Sequence, residues 1–311
     1  MSASVEPDAE RPSQPPPEEW GERGIGRPWQ IKFFRKLIRW FGRRPAYHIM
    51  YFVVFWYVLT MPAARRRTRY YLDRRFPGRS GRLRRFLDSY RLLCGFGRTM
   101  IDQFVLVVAG RGALRAECVN AEVLGKVFRD HAGFVLLNAH VGCWQVAMSY
   151  LDFAGREVST VMIPPTADQP GGAELEAMPF KVIDPRRGLD SVLAMLQSLR
   201  RGEILGLMGD RVFGPEEGTV EASFLGGPIK LPFAPYRLAG AAGVPIAVIF
   251  SYKTGFDRYE IKLARLIEVD PDAARRPQTC QPCAQQFADA LEEFVRQRPW
   301  QFFNFYDLWQ L

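Results

Sequence analysis

GFVLLN at residues 133–138, running straight into AHVGCWQVAMSYL at 139–151, is the stretch on which the fold turns. A short apolar run with no polar alternation suits a strand buried on both faces, and such strands belong to sheets covered by helices on each side. The continuation reads as a helix starting at the strand's end. Further along the chain, residues 156–163 read as another strand, 188–201 as an amphipathic helix, and 203–208 (EILGLM) as a second buried strand closing on Gly209-Asp210-Arg211. Residues 244–252 and 259–269 read as two more strands paired across a turn at Thr254-Gly255, and 281–298 as a long helix ended by Pro299. Strands alternating with helices predict an α/β layered domain over residues 111–311, with a central, mostly parallel or mixed sheet flanked by helices. The chain has no internal repeat.

Toward the N-terminus the chemistry changes. The chain has 311 residues, 48% of them apolar, and a formal net charge of +9. The cations crowd the first third: Arg35, Lys36, Arg39, Arg43 and Arg44, then Arg65, Arg66, Arg67 and Arg69, then Arg74, Arg75, Arg79, Arg82, Arg84 and Arg85. Such a field attracts polyanions, either nucleic acid or an anionic membrane face. Between the clusters lies AYHIMYFVVFWYVLTM at 46–61, a solid apolar and aromatic block without a formal charge. A nucleic-acid groove intersperses aromatics among cations to stack bases, so lipid is the better fit and nucleic acid is not expected. As a helix, 46–61 would run roughly 24 Å, short of the ~30 Å hydrocarbon core. It therefore reads as an embedded or interfacial helix with headgroup phosphates against the arginines, or as a buried helix of the core. Residues 29–40 (WQIKFFRKLIRW) alternate apolar and basic residues at helical spacing, a second surface-lying candidate, and 82–108 reads as one or two further helices. Residues 28–110 thus form a membrane-docking section, preceded at 1–27 by a Pro-, Glu-, Ser- and Gly-rich tail expected to be disordered. The apolar block lies too far from Met1, with no small-residue cleavage site after it, to be a signal peptide. Five cysteines without framework spacing agree with a reducing compartment.

The chemistry is expected at His140. Ligands of open α/β sheets bind at the carboxyl ends of strands, and an imidazole there can act as general base toward a hydroxyl. Backbone N–H groups at the following helix start would stabilise developing negative charge. Gly142 would let a substrate approach the backbone, and Gln145, one turn on, would face the imidazole. A histidine satisfied within the structure is the alternative.

The residues around His140 resemble a known family. Asn138-Ala-His-Val-Gly-Cys-Trp-Gln145 is similar to the His-x4-Asp/Glu block of the lysophospholipid acyltransferase superfamily, in the His-x-Gly-Asn-Trp-Glu form of the late acyltransferases of lipid A biosynthesis. Gly209-Asp210-Arg211 looks like that family's Asp-Gln or Asp-Arg block, and Ser223-Phe-Leu-Gly-Gly-Pro-Ile-Lys-Leu-Pro232 like its Phe-Leu-Gly-x-Pro-Ala segment. Leu238-Ala-Gly-Ala-Ala-Gly-Val-Pro245 resembles its Leu-Ala-x-x-x-Gly-x-Pro block, and Pro299-Trp-Gln-Phe-Phe-Asn-Phe-Tyr306 its closing Pro-x-Gln-Trp-x-x-Phe. The Trp-Gly-Glu-x-Gly start at Trp20 and the Asn-Phe-x-Asp-x-Trp ending at Asn304 look closest to a predicted branch associated with polyene-pigment and fatty-acid-type gene clusters. The resemblance runs from about residue 20 to the end.

That resemblance implies a membrane-associated acyltransferase of the bacterial inner membrane, its catalytic domain on the cytoplasmic side. An acyl group would pass directly from acyl carrier protein or acyl-CoA to a hydroxyl of a lipid or glycolipid, with His140 as base and no metal or cofactor. Gly142, Arg211, Phe224, Gly226 and Arg237 would contact substrate. One departure matters: Gln145 stands where the family carries an acid, and an amide can orient an imidazole but cannot offset its charge. Either Asp210 supplies the carboxylate, with Arg211 binding an anionic group, or the chain is a slow or silent relative that binds lipid or acyl carrier protein. A thioesterase using Cys143, three residues after His140, is a further alternative. Cys280-Gln-Pro-Cys283 has CxxC spacing without a second pair and reads as an exposed pair before the last helix. Glu217-Gly218-Thr219 lacks the arginine of a phosphate-binding Glu-Gly-Thr-Arg motif and reads as a chance match. The aromatic stretch 300–309 would line an acyl tunnel or close the core.

Overall fold

The computed structural model describes residues 28–150, 155–164, 180–212 and 218–310. The expected tail at 1–27, the Trp20–Gly24 motif and Glu217 lie outside them. The described chain begins with helices α1 (Pro28–Phe41), α2 (Arg43–Thr60), α3 (Pro62–Arg75) and α4 (Arg82–Ala109). After these come β1 (Arg115–Cys118), α5 (Ala121–Asp130), β2 (Phe134–Asn138), α6 (Trp144–Tyr150), β3 (Val158–Val161), β4 (Lys181–Ile183), α7 (Leu189–Arg200) and β5 (Ile204–Met208). The rest comprises β6 (Thr219–Phe224), β7 (Gly227–Pro232), α8 (Ala234–Ala242), β8 (Ile246–Lys253), β9 (Arg258–Ile267) and α9 (Pro277–Gln297).

Helix ends follow local rules. Pro62 opens α3 at a first-turn position, where its missing N–H costs nothing. Gly243 ends α8 in the left-handed region, its N–H returning to the Ala239 and Gly240 carbonyls. α9 stops at Arg298, which Pro299 holds out of helical geometry. Residues 82–108, read as one or two helices, form a single one.

The described sheet has the order β1-β9-β8-β2-β5-β3-β4. All neighbours run parallel except β8 and β9, which form the expected antiparallel pair. β2 is buried at every position, and its side chains alternate between two cores. Val135 and Leu137 pack with Val248 and Phe250, α8, α9 and parts of α3 and α4. Phe134 and Leu136 pack with Ala247, Ile249, α5 and α6. The mixed α/β sheet covered on both faces is therefore the one the apolar run predicts.

Two features were not legible. β6 and β7 form an antiparallel hairpin whose two-residue loop, Leu225-Gly226, has positive φ at both positions (48° and 76°). That backbone matches the hand of strand twist, and glycine adopts it freely. α6 also does not start at the end of β2: residues 139–143 intervene, anchored by a bridge from Val141 to Phe302.

α1 and the first half of α2 pack on α4 through Ile38, Ala46, Tyr47, Met50, Ile101 and Val105. Phe52, Phe55, Trp56, Leu59 and Met61 remain exposed along α2, and Trp40 and Phe41 at the end of α1. α2 and α3 meet at an angle of 94°. Among the described residues α4 is long and apolar enough to cross a membrane, and half of that apolar stretch is buried inside the protein.

Candidate active site

Sheet register brings the two halves of the site together. Asn138 and Met208 are partners in the parallel β2–β5 pair, and the ladder extends through Gly209 N–H to the Asn138 carbonyl (2.8 Å). His140 and Asp210 each stand two residues past those partners, on adjacent strands spaced by about 4.8 Å. His140 Nδ1 and Asp210 Oδ1 are 2.8 Å apart, and the His140 backbone N–H donates to Asp210 Oδ2 at 3.1 Å. The Asp210 side chain is fully buried, whereas 27% of the His140 side chain is exposed. With Nδ1 turned to the carboxylate, the other ring nitrogen, Nε2, lies on the opposite edge of the ring.

The closing segment clamps this pair. Phe303 N–H donates to the His140 carbonyl (2.6 Å), and Asn304 Nδ2 donates to the Asp210 backbone and side-chain oxygens (3.2 and 3.4 Å). Burial alone would raise the Asp210 carboxyl, but the His140 charge and hydrogen bond, with Arg211 beside it, hold it below its ordinary range. Burial in turn pushes the Arg211 guanidinium down, against the pull of Asp210. Arg211 Nη2 donates to the Phe303 carbonyl (3.2 Å), its guanidinium lies 4.8 Å from the Tyr306 ring centre, and its Nε is buried without a partner among the described residues.

Other expected site residues are placed differently. Gln145 Oε1 accepts from Gln103 Nε2 (3.1 Å) and faces the Cys143 thiol (3.6 Å), with no hydrogen bond to the imidazole among the described residues. Gly142 has φ +48°, and a Cβ there would meet the Ser251 carbonyl oxygen at 2.0 Å. Glycine is thus required by close packing on β8, without any appeal to a substrate. Ahead of α6 the peptide N–H groups are taken up within the protein: Val141 donates to Ala139, Gly142 to Gln301 and Cys143 to Ser251. Phe224 is fully buried, stacked on Trp309 and edge-on to Phe302. Gly226 serves the hairpin turn, and Arg237 is exposed on α8.

The cysteines are also clarified. Cys143 is fully buried and its thiol is pushed up to about 12 by burial, the wrong state for a nucleophile. Cys280 and Cys283 lie inside α9 rather than before it, Cys280 fully buried, because the helix starts at Pro277. Within 300–309, Phe302, Phe303, Asn304 and Phe305 are buried.

Sequence reading missed a second polar cluster. Asp102 of α4 is buried and accepts from Lys253 Nζ (2.6 Å), Tyr47 and Tyr259. Lys253 Nζ also donates to the Phe256 carbonyl (2.6 Å). Asp102 falls on the apolar face of α4, where a carboxylate signals a partner elsewhere in the chain. Asn304 was missed as a site residue, although it stands in a quoted motif.

Residues 23–311 match the model of a family described as bacterial lipid A biosynthesis acyltransferase. No curated protein matches the chain.

Proposed function

Since the chain belongs to the bacterial lipid A biosynthesis acyltransferase family, we propose that it moves a fatty acyl group from a thioester to a hydroxyl of a lipid or glycolipid, with His140 as general base and Asp210 as its carboxylate. The observation that carries this reading is the pair itself: an imidazole open on one edge, held on the other by a fully buried carboxylate at 2.8 Å. Asp210 fixes the tautomer with the proton on Nδ1 and balances the imidazolium charge, the function the amide of Gln145 cannot perform. Nε2 takes the proton of the acceptor hydroxyl as its oxygen attacks the thioester carbonyl. The C–S bond then breaks, and the leaving sulfur receives the proton back from the imidazolium. Asn304 and the Phe303 N–H keep both members in register from the closing segment. Arg211, beside the pair with an unpartnered Nε, is the group we assign to an anionic part of the substrate.

Acyl carrier protein or acyl-CoA is the donor, and the ending at Asn304–Trp309 aligns the chain with the polyene-associated branch. The exposed aromatics of α1 and α2, with arginines of α3 beside them, suit docking of residues 28–110 on the cytoplasmic face of the bacterial inner membrane. Residues 111–311 form the catalytic part. Burial of Cys143 disfavours a cysteine thioesterase.

The test is acyl transfer by detergent-purified protein from labelled acyl carrier protein to the host's membrane lipids, wild type beside His140→Ala. A labelled lipid that disappears in the variant is the expected result. Release of free fatty acid alone by the wild type, or equal product from both proteins, refutes the assignment.

A further inference from the structure

A cavity of about 650 Å³ lies between α3 and the closing segment, lined by Arg65, Arg66, Arg69, Arg74 and Tyr70 on one side and Trp309 on the other. Its volume falls within the ~300–1,000 Å³ of ligand pockets. Arg66, Tyr70 and Arg74 follow one another at four-residue spacing, which places these three on one face of α3. Of the cavity's two carboxylates, Asp73 is ion-paired, whereas Asp307 keeps its charge and is held by a peptide N–H. Asp73 accepts from Arg69 (3.0 Å), and Asp307 accepts the Trp309 backbone N–H (3.2 Å). Arg65 is engaged too, donating to the Val58 and Leu59 carbonyls at the end of α2. That leaves Arg66 and Arg74, both exposed, with no carboxylate in ion-pair range among the described residues. Arg74 lies over Trp309, 5.2 Å from the ring centre, which holds its guanidinium at the cavity wall.

Two guanidiniums without an ion-pair partner among the described residues, with Tyr70 lining the same pocket, have the chemistry to hold an anion. Guanidinium forks match the oxygens of a phosphate in two-point contacts. The cavity rim at Pro62 directly follows Met61, and Trp56, Leu59 and Met61 at the end of α2 are exposed. We propose that this pocket binds a phosphate ester group. The adjoining apolar elbow admits the headgroup of a lipid; a soluble phosphorylated molecule carries the same chemistry. The site is separate from His140, and binding is measured without turnover, so its failure leaves the acyl-transfer reading standing.

The experiment uses the full chain as wild type, R66A/R74A and, as a control of equal charge change, R82A/R84A at the exposed start of α4. Inorganic phosphate binding is measured by calorimetry. Binding to phosphatidylcholine vesicles with and without phosphatidate is measured by cosedimentation. The expected result is a loss of about tenfold or more in phosphate affinity, or in the phosphatidate-dependent gain, for R66A/R74A. R82A/R84A should lose no more than about twofold, by weakening the general field. Displacement of vesicles by inorganic phosphate would identify a lipid headgroup as the source. Phosphate binding with no phosphatidate-dependent gain would identify a soluble ligand. R66A/R74A indistinguishable from wild type in both assays, or R82A/R84A losing as much, overturns the proposal.

Discussion

Asp210 and Asp102 are both fully buried carboxylates met by a nitrogen-bearing side chain, yet their surroundings differ in one respect. Around Asp102 every partner closes inward. Lys253 is only 9% exposed, and Tyr47 and Tyr259 complete a shell that ties α2, α4, β8 and β9 together. Around Asp210 the partner is an imidazole whose side chain is 27% exposed, and the remaining bonds come from a peptide N–H and an asparagine. A buried charge pair that is closed on all sides is a structural tie whose removal costs stability. A buried carboxylate beside a partly exposed imidazole instead has the geometry to fix the ring's orientation and tautomer. Burial of the acid thus does not separate the two pairs; the exposure of its partner does.

The largest effect that would sharpen this contrast is on turnover. Asp210→Asn should lower acyl transfer by about 10³-fold or more, because an amide favours the wrong tautomer and cannot balance the imidazolium. Circular dichroism should show the fold retained. Near-normal turnover in this variant would leave the two aspartates without a functional distinction. Next comes stability. Asp102→Asn strands a buried Lys253 and should cost about 3–5 kcal/mol by denaturant unfolding, with turnover per folded molecule unchanged. Asp102→Asn combined with Lys253→Met should recover part of that loss. If Asp102→Asn instead abolished transfer in a fully folded protein, the closed cluster would belong to the site.

Acid unfolding separates the two further. The carboxyl of Asp210 is held below its ordinary value of 3.8 in the folded protein. Its contribution to stability is therefore complete above that value and disappears as pH falls through the depressed one. The wild type should lose stability below about pH 4 more steeply than Asp210→Asn, measured by denaturant titration at successive pH values. Equal slopes would show that His140 does not stabilise the charge. The smallest effects are expected just before and within the first turn of α6. Cys143→Ser should retain most transfer, since the thiol is buried and protonated. Gln145→Glu should change turnover by less than about tenfold, one decade being ~1.4 kcal/mol, because the side chain engages Gln103 rather than the imidazole. A large gain with Gln145→Glu would mean that its position is reached by His140 during turnover.

Much of the fold was readable because its signals are local. The unbroken apolar runs at β2 and β5, the turn at Thr254-Gly255 and the stop at Pro299 depend on a few neighbouring residues each. The β6–β7 hairpin escaped because the Leu225-Gly226 turn hides in a motif read for function. Phe224, Gly226 and Gly142 each stand in a family-like segment and each also has a packing or backbone role that the segment does not reveal. Whether a given glycine admits a substrate or a neighbouring strand depends on what lies opposite, which periodicity does not record.

By itself, then, the sequence determined the layered α/β class, the position of His140 past a buried strand, and the basic and aromatic character of the first helices. Each follows from side-chain type and spacing along one segment. Only the tertiary structure decided that Asp210 rather than Gln145 meets the imidazole, since β2 and β5 are adjacent by sheet order while their residues stand 70 positions apart. It also decided that Gly142 packs on β8, and that Arg66 and Arg74 share a cavity with Trp309. Contacts of this kind arise from strand order and helix packing, which the whole chain must fold to establish.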